Sequence, residues 1–136
     1  MSKIFFDTNI LIYTLDQRDP LKHSRAREAF TYCMKDGIGV ISTQVLHEYA
    51  STALTKFHQT HENVVLELHS LEKFEIIIST PKLIRRGVEL AKQFQLNFWD
   101  SAILAAAEEA GCDQLYSEDF QDGTVYNSVR VVNPLV

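Results

Sequence analysis

Cysteine is scarce in this chain of 136 residues: Cys33 and Cys112 are the only two, far apart and in no Cys/His zinc pattern. That excludes a disulfide scaffold and a zinc module, and reads as two reduced, buried thiols of an intracellular protein, with a disulfide between them as the alternative. No apolar run reaches the ~18 residues that a membrane span needs, and the N-terminus lacks the layout of a secretory leader. The expected location is therefore cytoplasmic. Positive charge is also short, with 13 Lys and Arg against 18 Asp and Glu and a net charge of −5, which argues against holding nucleic acid by bulk charge alone. A glycine-rich phosphate loop is missing too, so no nucleotide cofactor is indicated.

What remains is an average globular composition, 46% hydrophobic and 23% charged, without repeats or a linker. The length predicts one domain over 1–136. Lys3-Ile-Phe-Phe-Asp7 reads as a strand running into a helix that Asp7, Thr8 and Asn9 can cap. Asp19-Pro20 and Thr80-Pro81 are caps followed by proline at the first helical position, and Gly37 should close the first of those helices. Residues 39–42 predict a second strand. Val45, Leu46, Tyr49, Ala50, Ala53, Leu54 and Phe57 form one helical stripe. A helix over 61–73 follows, then an apolar strand at 75–78 of the kind that a parallel sheet buries on both faces. Residues 98–110 form an alanine-rich helix stopped by Gly111, and 114–117 and 128–132 are short strands. This alternation predicts an α/β fold, a three-layer α/β/α sandwich around a mostly parallel sheet.

In such sheets ligands gather beyond the carboxyl ends of the strands. Asp7 ends the first strand, Glu48 lies in the helix that leaves the second, Asp100 opens the alanine-rich helix, and Asp119 follows the 114–117 strand. Residues 93–129 carry seven acids and no Lys or Arg. Each acid has a plainer explanation: Asp7 caps a helix, Asp100 completes a capping box begun by Asn97, Glu48 faces water about 60° off the apolar stripe, and Asp119 sits in a turn. The plainer explanations do not say why all four should meet at one sheet edge. Convergent carboxylates with retained water suit hard cations such as Mg²⁺ or Mn²⁺.

Four segments in order, Ile4-Phe-Phe-Asp-Thr-Asn9, Ile41-Ser-Thr-Gln-Val-Leu-His-Glu48, Phe98-Trp-Asp-Ser-Ala-Ile103 and Leu115-Tyr-Ser-Glu-Asp119, resemble the PIN-domain ribonucleases. In size the chain is similar to the VapC-type toxins of bacterial and archaeal toxin–antitoxin pairs. The resemblance implies an RNA endonuclease in which Asp7, Glu48, Asp100 and Asp119 form an acidic quartet binding Mg²⁺ or Mn²⁺, with Glu118 or Asp122 as alternatives to Asp119. It also implies hydrogen-bonding support from Thr8, Asn9 and Ser117. A small antitoxin protein and a second copy of the chain are the partners it implies, besides the RNA substrate.

Arg18, Lys22, Arg25, Arg27 and Lys35 give residues 18–35 a charge of +3 and form either a phosphate-contacting helix or a solvated face. The histidines, including His47, His58, His61 and His69, match no metal signature and read as structural or surface residues. Phe94, Phe98 and Trp99 read as core anchors rather than base-stacking rings. Two rival functions are a catalytically silent binding module of the same fold and a phosphotransfer domain. The second lacks the paired aspartates of one phosphatase class, because position 9 is Asn.

Overall fold

Ile4, Phe5 and Phe6 form β1 and are all buried, so the first strand of the chain lies in the interior. Burial of side chains this size contributes roughly 1.5–3 kcal/mol each. The computed structural model describes residues 2–136. After β1 (Ile4–Phe6) come α1 (Thr8–Tyr13), α2 (Pro20–Asp36), β2 (Gly39–Ser42), α3 (Thr43–Thr55), α4 (His61–Leu71), β3 (Glu75–Ile77) and α5 (Pro81–Phe94). The chain continues through α6 (Phe98–Glu109), β4 (Gln114–Tyr116), β5 (Val125–Tyr126) and β6 (Val129–Val132). The strands form one sheet in the order β3-β2-β1-β4-β6-β5, parallel except for β5. Helices flank this sheet, which is the three-layer arrangement that the alternation predicts.

Local chemistry sets the helix ends. Asp19 accepts from the Lys22 amide ahead of Pro20, and α2 stops where Gly37 turns left-handed at φ 68° and donates to the carbonyls of Cys33 and Met34. Ser42 caps α3 through the Val45 amide, and Thr80 caps α5 through the Leu83 amide. Each bond satisfies an amide that the first turn would otherwise leave unpaired.

Strand order fixes where function can sit. From β1 the chain first builds outward through β2 to β3, then returns to the other side of β1 with β4. The crevice between the carboxyl ends of β1 and β4 is therefore the point where the direction of winding reverses, the usual ligand position in open α/β sheets. Because α6 delivers the chain to the start of β4, its own N-terminus has to lie at the opposite, carboxyl edge of the sheet.

Two strand expectations change. The 75–78 segment is not sandwiched on both faces: β3 is an edge strand, its residues are exposed or half-buried, and Ile78 beyond it is exposed. An apolar run reports burial potential but not place in the sheet. The two-residue β5 was not anticipated; it pairs antiparallel with β6 across a tight turn in which Asn127 adopts φ 56°. Cys33 and Cys112 are buried and free, their thiols pushed up to about 11 and about 12 by burial. No helix among the described residues is long and apolar enough to cross a membrane.

Phe74 locks β1 to the helical layer. Its ring lies 5.5 Å from that of Phe6 and 5.4 Å from that of Phe30, centroid to centroid. It fits because Gly39 has no side chain: a Cβ there would stand 2.2 Å from a Phe74 ring carbon. Gly39→Ala should destabilise the fold by about 1–3 kcal/mol through overpacking, measured by chemical denaturation. Unchanged stability would mean that the Phe74 ring is free to move aside.

Candidate functional site

Asp7 follows β1 directly. Only 5% of its surface is exposed, yet its carboxylate is well supplied with donors. One oxygen accepts from the Thr8 amide at 2.7 Å; the other accepts from the Ser117 hydroxyl at 2.7 Å and the Asn9 amide group at 3.4 Å. Ser117 lies just past β4, across the crevice, and its Oγ also accepts from the Asp119 amide at 3.0 Å. Asn9 in turn accepts from the Glu118 amide at 3.3 Å. The Thr8 hydroxyl donates to Glu48, which Gln44 also approaches at 3.5 Å. The three residues expected to support the acids thus tie β1, β4 and α3 together.

Asp7, Glu48, Asp100 and Asp119 line one cavity of about 560 Å³, together with Thr8, Asn9, Tyr13, Asp16, Arg18, Gln44, Lys56, Trp99 and Glu118. Four separate elements deliver the acids: the end of β1, the helix α3, the first turn of α6 and the loop after β4. Asp7 is a cap as well, and Asp100 is bonded to one, Asn97. Asp7 accepts from the Thr8 amide as the N-cap of α1; Asp100 accepts from the Asn97 side chain at 2.7 Å while its own amide donates back to Asn97 at 2.9 Å. Capping takes up only part of each carboxylate, so the local and the site roles coexist.

Burial raises the Asp7 carboxyl to about 7; the Ser117 and Thr8 hydrogen bonds oppose that rise, and the charges of Asp119 and Glu48 add to it. Asp100 is raised as well, by burial first and then, against the Asn97 hydrogen bond, by Asp119 and Glu48. Asp119 and Glu48 thus act on both Asp7 and Asp100, as their common cavity requires.

The acidic stretch over 93–129 divides on folding. Glu108 pairs with Arg86 at 2.8 Å, and Asp122 accepts from the Asn133 amide at 2.9 Å. Glu118 reaches the cavity wall but is held by Lys22 at 2.9 Å and by the Tyr13 hydroxyl at 2.7 Å. Asp119 accepts no hydrogen bond among the described residues.

The basic run over 18–35 divides similarly. Arg25 donates to the Leu135 carbonyl, Arg27 lines a different groove beside Tyr49 and Glu67, and Lys22 is committed to Glu118. Only Arg18 of the five lines the cavity.

Trp99 corrects a sequence expectation. It is 64% exposed at the cavity rim, because the second residue of α6 points away from the sheet; Phe94 packs edge-on against Tyr126 as a core ring should. Tyr13, Gln44 and Lys56 carried no signal in the sequence, since only the approach of α1 to α3 brings them to the cavity.

The raised Asp7 carboxyl has a consequence for stability. Unfolded, the group loses its proton near 3.8; folded, it keeps it to about 7. Between those values the native state binds the extra proton, so metal-free stability should fall as pH rises through this window. Asp7→Asn in EDTA should therefore melt higher than wild type at pH 8, with the gap closing toward pH 5. A variant that melts lower at pH 8 would show that the hydrogen bonds outweigh the cost of burial.

Comparison with known proteins agrees with the fold. The PIN domain model matches residues 4–121. No curated protein matches the sequence. Among solved structures, a chain of a toxin–antitoxin complex from Klebsiella pneumoniae is similar at 26% identity and TM-score 0.74, covering 97% of this chain and 98% of that one. VapC20 of Mycobacterium tuberculosis, a toxin that cleaves the sarcin–ricin loop, is similar at 17% identity and TM-score 0.71, covering 88% and 92%. A chain of the DNA-bound VapBC complex of Salmonella typhimurium is similar at 16% identity and TM-score 0.67, covering 96% and 97%. On this match across most of its length, the chain belongs to the PIN domain family.

Proposed function

We propose that the chain is a metal-dependent endoribonuclease that hydrolyses RNA phosphodiester bonds, and that it acts as the toxin of a toxin–antitoxin pair. The observation that carries the reading is the meeting of four carboxylates from four elements in one cavity at the carboxyl edge of the sheet. The antitoxin is supported by the similar chains from Klebsiella pneumoniae and Salmonella typhimurium, which come from toxin–antitoxin and VapBC complexes.

Asp7, Glu48, Asp100 and Asp119 would hold Mg²⁺ or Mn²⁺. Their donor set is all oxygen, which suits a hard cation, and Asp7 and Asp100 are raised by burial and by the charges of Asp119 and Glu48, which a cation would relieve. Among the described residues no three His, Cys, Asp or Glu side chains form a ready metal cage. The fit is therefore to an ion that keeps part of its water shell, for which the cavity has room. Such an ion supplies an activated water and neutralises charge on the phosphate oxygens.

The chain's own groups have distinct parts. Thr8 and Ser117 fix the carboxylates of Glu48 and Asp7 by donating to them. Asp119, exposed and with a carboxylate that accepts no hydrogen bond among the described residues, would take the proton of the attacking water as the phosphorus–oxygen bond to the leaving group breaks.

Self-association is part of the same reading. Ile84 and Val88 stand four residues apart on α5, both exposed, and Ile84 shares a groove with Phe98 and Trp99. An apolar stripe on a helix whose other face is already buried suits a second copy of the chain.

Cleavage of a structured RNA pool tests the activity. Mg²⁺ or Mn²⁺ should support it and EDTA abolish it; Ser117→Ala should lose about 10–100-fold, the usual cost of removing a partner of a ligand, and Asp7→Asn and Asp100→Asn more. Folded wild type that cuts nothing with either metal would leave a catalytically silent binding module. For the dimer, Ile84→Glu with Val88→Glu should convert a two-chain species to a monomer in sedimentation, and a monomeric wild type would sink that part of the reading.

A further inference from the structure

The acid floor of the cavity repels a polyanion, yet one corner of its rim is cationic. Asp16, in the loop between α1 and α2, is buried, and its carboxylate accepts three bonds from a single residue: the Arg18 amide at 3.0 Å, Nε at 2.9 Å and Nη2 at 2.8 Å. This docking uses one edge of the guanidinium. Nη1 has no partner among the described residues, and the side chain remains 70% exposed at the cavity mouth. Lys56, the C-terminal cap of α3, lines the same cavity, is exposed, and forms no ion pair among the described residues. It lies close enough to Asp16 for its charge to help hold that carboxylate ionised. Two cations thus stand against one anion, and the excess faces the cavity.

We propose that Arg18, oriented by Asp16, and Lys56 form a subsite that binds a phosphodiester group of the RNA strand outside the one being cut. The inference rests on the ribonuclease reading and names how the strand is held. Only the Asp16 half of the Asp16–Arg18 pair is buried; the Arg18 side chain is 70% exposed, so the bonds that satisfy Asp16 leave the outer edge of the guanidinium in water. As a substrate contact it has clear value: a guanidinium already fixed in place loses less rotamer freedom on binding, and its free edge matches a phosphate's paired oxygens. The rest of the basic run is unsuited to this role, since Lys22 and Arg25 are already engaged and Arg27 lines another groove.

The test is the salt dependence of RNA binding, measured in EDTA with a labelled RNA so that cleavage does not intervene. Each lost phosphate contact should lower the slope of log affinity against log salt by about 0.7 for an unpaired strand. Arg18→Gln and Lys56→Gln should each do so, their combination about twice as much, and Arg18→Lys should keep the slope; Arg25→Gln should leave it unchanged. Lys56→Gln reads the site without disturbing the Asp16 pair, so loss of the loop in Arg18→Gln would not obscure the result. In metal-dependent cleavage the double variant should raise KM several-fold with kcat retained. An unchanged slope in the double variant, or wild type that binds no RNA at low salt, overturns the proposal. Failure of cleavage with the slope still falling would instead overturn the nuclease reading and leave the phosphate subsite standing.

Discussion

A carboxylate buried at the carboxyl end of the central strand is the constraint around which the rest of this structure is arranged. Asp7 is enclosed by the same strand that supplies Phe5 and Phe6 to the core, so it has no solvent to stabilise its charge. The fold answers with donors: the first amide of α1, the Ser117 hydroxyl from beyond β4 and the Asn9 amide group. These recover part of the cost but not all, as the raised carboxyl shows. The remaining instability is itself useful, because a site that is uncomfortable empty gains most from a cation.

The acids also show why helix capping and site building need not compete. A cap uses one or two lone pairs of a carboxylate and leaves the others directed outward. Asp7 caps the start of α1, Asp100 stands in the first turn of α6 bonded to its cap Asn97, and both helices begin at the carboxyl edge of the sheet. The capping residue of a helix at that edge is therefore already at the ligand position of the fold. Asn97 and Ser117 act one layer further out, each fixing a carboxylate that faces the cavity.

Much of this was legible in the chain, for identifiable reasons. Cap-then-proline signals, Gly37 and the alanine-rich run mark helix ends through local backbone chemistry, and the structure follows them within a residue or two. The four acids could be placed at one edge because strand-end position follows from alternation alone. Sheet order did not: β3 reads as interior and lies at the edge, since hydropathy carries no information about which neighbour a strand will find. Trp99 reads as core and is exposed, because aromatic character alone does not distinguish a ring that packs inward from one left on the rim. The contribution of Lys56 was invisible, depending wholly on how α3 ends beside the α1–α2 loop.

Charge counted along the chain misleads in the same way. The run over 93–129 is uniformly acidic and that over 18–35 basic, which suggests an acidic patch and a basic patch. Folding breaks up both: Lys22 joins Glu118, Arg86 from outside the runs joins Glu108, and Arg25 and Arg27 turn to other surfaces, so neither run forms one patch. What survives is local and mixed, four carboxylates on the floor of one cavity and two cations at its mouth. That arrangement shows how a chain with a net charge of −5 could still receive the polyanion of the proposed activity. Over distances beyond the Debye length of about 8 Å at physiological salt the excess acid is screened, so what an approaching anion meets is set by the groups within the cavity. There the sign depends on depth. The two cations stand where an anionic group entering the cavity would meet them first, and the carboxylates lie below, where a bound cation would be needed to make the floor favourable to the same group.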